Sequence, residues 1–177
     1  MTIQDLFSLS VIHQQEHGCG GHPYQNGEIL IDVIEKYGPH RVLEVGTALG
    51  YTSSLMALSQ ENIFIETIDQ DATHLEKARK YWSDLNVSHK IDEHEGKAEE
   101  ILPTLIDKYD LIFFDGYTPQ LKLLDLFEML LKKDGVLVTA NLYLSDEKGG
   151  RYVSRLKNAS QWKTTFIADT AIAQKLF

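Results

Sequence analysis

The chain has 177 residues, 43% of them hydrophobic and 24% charged, which suits a single domain with a buried core. A formal net charge of -9 repels phosphate backbones and anionic lipid, so neither nucleic acid nor a membrane surface is an expected partner. The single cysteine, Cys19, excludes an intrachain disulfide framework and suits the cytoplasm.

Residues 1–18 carry no basic start and no long apolar core, so no signal peptide or membrane span is expected there. Apolar residues at helical spacing predict a helix over 5–12, and the glycines and proline of 18–23 break it. A second helix is predicted over 26–37, with Asn26 as N-cap and Gly38-Pro39 as stop. The pattern then alternates. Strands are predicted at 41–45, 63–68, 88–93, 109–114 and 135–140, and helices at 50–59, 71–84, 98–107 and 119–132. Continuous apolar strands between helices point to a doubly wound, mostly parallel α/β sheet. A helix over 148–159 follows. Residues 162–168 and 171–177 then read as an antiparallel hairpin around Asp169-Thr170, with Trp162 and Phe166 packing it onto the sheet. No repeat or linker divides the chain, so 1–177 reads as one domain, with 1–25 as a helix and cover segment.

The motif that carries chemistry is RVLEVGTALGYTS, residues 41–53. It reads as strand, glycine turn and helix start. Glycine at 46 and 50 lets backbone approach a ligand closely. Asp69 ends the next apolar run at a spacing suited to gripping a ribose. Asp71 is the better N-cap for the following helix, which leaves Asp69 for a ligand. The spacing Gly46-x-Ala48-x-Gly50 departs from the dinucleotide fingerprint and lacks the P-loop ending. Glu44, in the strand before the turn, disfavours phosphate and tolerates a cation. S-adenosylmethionine satisfies both conditions.

Several pieces, in order, resemble one family: Gly27-Glu28-Ile29, the stretch 43–52, residues 65–69, 96–99, 110–115, 134–141 and 169–175. From about Gly27 onward the chain resembles class I S-adenosylmethionine-dependent O-methyltransferases of the catechol and caffeoyl-CoA kind. The resemblance implies a seven-stranded Rossmann-like methyltransferase fold ending in the hairpin. It also implies a small-molecule acceptor, hydroxylated or aromatic, and a homodimer. Gly46 and Gly50 would line the cofactor, with Glu44 shaping the turn near its methionine end. Thr52 would bond the methionine carboxylate, Asp69 both ribose hydroxyls, and Ala98 and Glu99 would flank the adenine. Asp115 and Asn141 would be catalytic and ligate a divalent cation such as Mg²⁺, with Asp115 also beside the cofactor.

Two positions depart from the family. Ala140 stands where it has an aspartate, withdrawing an anionic oxygen from a hard cation. Thr118 stands where it has a lysine that helps deprotonate the acceptor. Both fall on the acceptor chemistry, neither on the donor site. Metal-assisted and metal-free transfer both stay open, with Asp146 and Glu147 as conceivable further ligands. A cofactor-binding protein without turnover is one competitor, and a nicotinamide-dependent oxidoreductase another. Tyr51, Tyr117 and Tyr143 follow strand ends, where they border the acceptor or pack a rim. His13, His17, Cys19 and His22 form a metal-type group without a strong zinc spacing, and solvated histidines are the simpler reading.

Overall fold

The computed structural model describes residues 1–18, 22–142 and 147–177, the side chains of 147–149 excepted. At its centre, β1 (Arg41–Val45) pairs in parallel with β2 (Phe64–Asp69) on one side and β4 (Tyr109–Phe114) on the other. Outside these lie β3 (Ile91–Glu95) beside β2 and β5 (Leu131–Thr139) beside β4, both parallel. The sheet closes with β7 (Thr170–Lys175), antiparallel to β5, and β6 (Trp162–Ile167), antiparallel to β7. The order is β3-β2-β1-β4-β5-β7-β6. This is the expected doubly wound α/β sheet of seven strands with a terminal antiparallel hairpin. Strand order reverses between β1 and β4, which opens a crevice above their carboxyl ends.

The helices divide between the two faces. α2 (Gly27–Tyr37), α3 (Tyr51–Ser59) and α4 (Ala72–Asp84) cover one. α5 (Ala98–Ile101), α6 (Leu121–Leu130) and α7 (Glu147–Leu156) cover the other. Alternate strand residues feed the two cores: Val42, Leu111 and Phe113 one, Leu43, Ile112 and Phe114 the other. That is the period-two arrangement of a sheet buried on both sides. α1 (Ile3–His17) packs on α3. Gly27, the first residue of α2, gives up the space a Cβ would need to the Tyr51 hydroxyl, 2.8 Å from that point. Among the described residues, no helix is long and apolar enough to cross a membrane.

Some boundaries differ from expectation for identifiable reasons. α1 extends from Ile3 to His17, because a Thr2–Asp5 capping box starts it early and left-handed Gly18 ends it late. The helix expected over 98–107 stops at Ile101 and becomes a single 3-10 turn, Leu102–Thr104. Pro103 has no N–H with which to continue it. Asn26 occupies the N-cap of α2 without a side-chain hydrogen bond. The hairpin turns one residue early, at Ala168-Asp169, with Ala168 at φ 50 and Ile167 paired with Thr170. Trp162 is buried as expected, but Phe166 is exposed, with Lys157 over its ring.

β1 runs directly into Gly46, at φ 102. Its N–H donates to the Ile68 carbonyl (2.9 Å), and a Cβ there would lie 2.6 Å from the Asp115 carbonyl oxygen. Three strand ends therefore meet at one residue that tolerates no side chain. Gly46→Ala is expected to lower unfolding free energy by at least about 2 kcal/mol, since both the backbone angle and the contact are strained. A urea unfolding midpoint equal to wild type would contradict this.

Candidate active site

A cleft of about 720 Å³ lies above the carboxyl ends of β1, β2 and β4, a size suited to a nucleoside-type ligand. Its wall takes Gly46 and Thr47 from the turn after β1, Asp69 from the end of β2 and Asp71 after it, and Ala98 and Glu99 from α5. Asp115 and Tyr117 follow β4, and Asn141 follows β5. Ser10, His13 and Gln14 of α1, with Tyr24, close one side, so part of the expected cover segment forms wall.

Glu44 lies beneath the cleft rather than on its wall. It is fully buried in β1 and accepts hydrogen bonds from the Thr52 hydroxyl (2.5 Å) and the Thr67 hydroxyl (2.6 Å). Thr67 in turn meets the Thr47 hydroxyl at 2.6 Å. Burial pushes the Glu44 carboxyl up to about 7, against the opposing pull of hydroxyls on Thr52, Thr67 and Ser53. Near neutral pH this acid is therefore populated in both protonation states beneath the cleft.

Asp69 sits at the end of β2 with both oxygens oriented. Oδ2 accepts from the Ala48 N–H (2.8 Å) and Oδ1 from the Asp71 N–H (2.9 Å), while His74 Nδ1 stands 3.4 Å away. Burial raises its pKa, but hydrogen bonds from His74, Asp71 and Ala48 outweigh that and hold it below the usual carboxylate range. Asp71 caps α4 through the Thr73 N–H, as expected. A carboxylate has about four acceptor positions, so beside these three partners Asp69 keeps room for at least one hydroxyl in the cleft.

Asp115 and Asn141 are brought together across β4 and β5: Asn141 Nδ2 donates to Asp115 Oδ1 at 2.7 Å. Asn141 is left-handed, at φ 59, so it is also a turn residue. Burial and the charge of Glu44 drive the Asp115 pKa well above its ordinary range, although Asn141 counters them. Ala140 is buried and presents only a methyl group. Tyr117 donates to Glu99 Oε1 (2.5 Å), which Lys122 also approaches at 3.1 Å. Tyr51 packs edge-on against Phe7, 5.1 Å between ring centroids.

The two glycines of the turn also meet packing demands. The space a side chain would occupy at Gly46 belongs to the Asp115 backbone, and at Gly50 to the Trp82 indole. Gly50 is the left-handed N-cap of α3 and does not line the cleft. Both are packing glycines that let the turn fold tightly, and only Gly46 also reaches the wall. The histidine group changes as well. His13 and His17 meet His74 of α4, whereas His22 pairs with Gln14 (3.3 Å). Cys19, Tyr143 and Asp146, and the side chain of Glu147, lie outside the described residues.

Three wall or border residues escaped the sequence reading. Tyr24 bonds Thr170 across the fold (3.1 Å), burial pushing its hydroxyl up to about 12. His74 orients Asp69. Asp169 borders an adjoining small cavity with Asn141 and Tyr24. No local pattern signals them, because each contact joins distant segments.

Comparison with known proteins bears on this cleft. A family model described as O-methyltransferase matches residues 13–147. The chain is similar to catechol O-methyltransferase B of Danio rerio, 26% identical over 173 residues, covering 89% of this chain and 64% of that protein. It is similar also to catechol O-methyltransferase of Niastella koreensis, 29% identical over 112 residues, covering 60% of this chain and 51% of that one. The chain thus spans between half and two thirds of these relatives' lengths. Among solved structures, O-methyltransferase TomG of Streptomyces achromogenes, involved in tomaymycin synthesis and in complex with SAM, has a TM-score of 0.85 at 21% identity. That match covers 98% of this chain and 90% of TomG. At such identity it speaks for the fold.

The raised Glu44 carboxyl makes a stability prediction. The native state keeps a proton that the unfolded chain releases above about 4.5. The Glu44 contribution is therefore complete below that value and is lost as pH rises through about 7. Glu44→Gln cannot ionise. Its unfolding free energy relative to wild type is expected to improve by about 2–3 kcal/mol between about pH 5 and 8. Denaturant titrations at both values check this; a constant difference would contradict it.

Proposed function

The chain belongs to the O-methyltransferase family, and from that premise we propose that it moves a methyl group from S-adenosylmethionine to an oxygen of a small, hydroxylated aromatic acceptor. The observation that carries this reading is Asp69, a carboxylate held ionised on the cleft wall beside the Gly46 turn. It suits a ribose diol, which donates two hydroxyls. The donor set around it fits this cofactor. Asp69 is ionised on the wall and Asp115 and Glu44 set further acid groups near it, which suits a cationic sulfur better than a pyrophosphate. That balance disfavours the nicotinamide reading.

In this proposal Asp69 holds the ribose, and Ala98 and Glu99 border the adenine. Gly46 and Asp115 border the methionine portion, while Gly50 acts indirectly by setting the start of α3. Thr52 faces the methionine carboxylate. When Glu44 is protonated it donates to Thr52, and the Thr52 proton becomes available to that carboxylate. When bound, S-adenosylmethionine supplies the methyl group on a positively charged sulfur. The wall holds donor and acceptor aligned, which supplies much of the rate of such a displacement.

Asp115 and Asn141 do not fit a resident Mg²⁺. The pair offers one carboxylate and one amide, the amide nitrogen is turned to Asp115, and Ala140 adds no oxygen. A hard cation needs about six oxygens. No step is therefore assigned to a metal. Asn141 holds Asp115 Oδ1, and Oδ2 takes the proton of the acceptor hydroxyl. Burial raises the Asp115 pKa, which makes its ionised form a stronger base toward that hydroxyl. Tyr117 and Tyr51 border the acceptor. A cytoplasmic site of action fits a chain with one cysteine. The homodimer implied by the resemblance belongs to this proposal.

S-adenosylhomocysteine is expected to bind with saturating heat in calorimetry, and NAD to give none. Asp69→Asn is expected to weaken that binding by about 10- to 100-fold, the loss of charged hydrogen bonds to a diol. Across a panel of hydroxylated aromatics, turnover is expected to survive chelator and to fall by at least about 100-fold in Asp115→Asn. Binding of NAD with indifference to S-adenosylhomocysteine would overturn the reading. Turnover abolished by chelator would restore the metal.

A further inference from the structure

One cluster of side chains at the edge of the cleft has a geometry that the reaction proposed above does not use. His13 and His17 stand one turn apart on α1, and α4 brings His74 to both. One ring nitrogen from each lies within 4.8 Å of the other two. The ring centroids are 4.6 Å apart for His13 and His17, 5.2 Å for His13 and His74, and 5.3 Å for His17 and His74. Three imidazoles bound tetrahedrally at a zinc–nitrogen distance of about 2.05 Å place their centroids about 5 Å apart. The rings already have nearly the spacing that an ion imposes.

The surroundings agree. Asp71 Oδ2 lies 3.8 Å from both His17 Nε2 and His74 Nε2, close to the separation of neighbouring ligands in a tetrahedral shell. Asp69 Oδ2 stands 3.4 Å from His74 Nδ1, the outer carboxylate that commonly fixes the tautomer of a ligating histidine. His13 Nε2 is buried and has no hydrogen-bond partner among the described residues. A buried polar nitrogen left bare between two other imidazoles needs a reason.

We propose that His13, His17 and His74, completed by Asp71, form a binding site for a zinc-class divalent ion that fastens α1 to α4 beside the cleft. Imidazole nitrogens with one carboxylate suit zinc and its borderline neighbours; Mg²⁺ prefers an all-oxygen shell. Lys77 occupies the competing position, its Nζ 3.0 Å from His13 Nδ1. When His13 Nε2 takes the ion, its proton moves to Nδ1, and the half-buried Lys77 turns to solvent. The ion links to the donor site through His74 and Asp69.

The test is a calorimetric titration of the chelator-stripped 177-residue chain with zinc chloride. Saturable binding of a single equivalent is expected, with none for magnesium chloride, and cobalt is expected to give a tetrahedral visible spectrum. His17→Ala, at an exposed position, is expected to weaken zinc about 10- to 100-fold while keeping the wild-type circular dichroism. His22→Ala is expected to change nothing, and Lys77→Met to tighten binding several-fold. Zinc should raise the melting temperature of wild type and not of His17→Ala. Absence of stoichiometric binding, or equal zinc affinity in His17→Ala, would overturn the proposal. The readout is metal binding itself, so its failure is distinct from failure to bind S-adenosylhomocysteine.

Discussion

A buried acid organises this protein. Glu44 lies in the middle of the five parallel strands, without solvent, held by hydroxyls from α3 and β2. A carboxyl in such a place is costly unless its hydrogen bonds are satisfied. Thr52 and Thr67 satisfy it only if α3 starts where it does and β2 keeps its register beside β1. The tight turn between β1 and α3 follows from that condition. So does the position of Asp69, whose strand carries Thr67 two residues earlier. One side chain therefore couples the order of the sheet to the shape of the cleft.

The glycines of the turn belong to the same constraint. Gly46 lets β1 end against the backbone of Asp115, and Gly50 lets α3 begin against Trp82. Neither leaves its space to a ligand. The cleft instead has polar walls from several strand ends and closes with α1 and Tyr24. Its charge is uneven: acids gather where β1, β2 and β4 end. A ligand with a positive centre and a sugar matches that distribution better than one with a pyrophosphate.

Much of this was legible in the residues. Short apolar strands alternating with helices specified the parallel sheet, because such strands are buried on both faces. β1 and β4 fell where expected to the residue. The terminal hairpin was visible as two β-rich runs, but its turn was off by one, because Ala168 accepts a left-handed angle that alanine seldom adopts. The short α5 followed from Pro103, a signal present in the sequence and outweighed there by helical spacing. In the cleft, Asp69, Asp115 and Asn141 could be named because they end strands. At Gly50 the structure adds a packing reason for glycine, since a side chain there would meet the Trp82 indole. Tyr24, His74 and Asp169 gave no local signal. Their contacts span long separations that spacing cannot encode, and the pairing of α1 histidines with α4 is of the same kind.

The junction of α2 with α3 has a consequence for how such a protein can vary. Tyr51 stands on the cleft wall and its hydroxyl fills the room left by the bare Cα of Gly27. A larger residue at 27 would push the ring toward the cleft, and a smaller one at 51 would leave a void behind α2. The two positions are thus sterically coupled, so that reshaping this side of the cleft calls for a paired exchange.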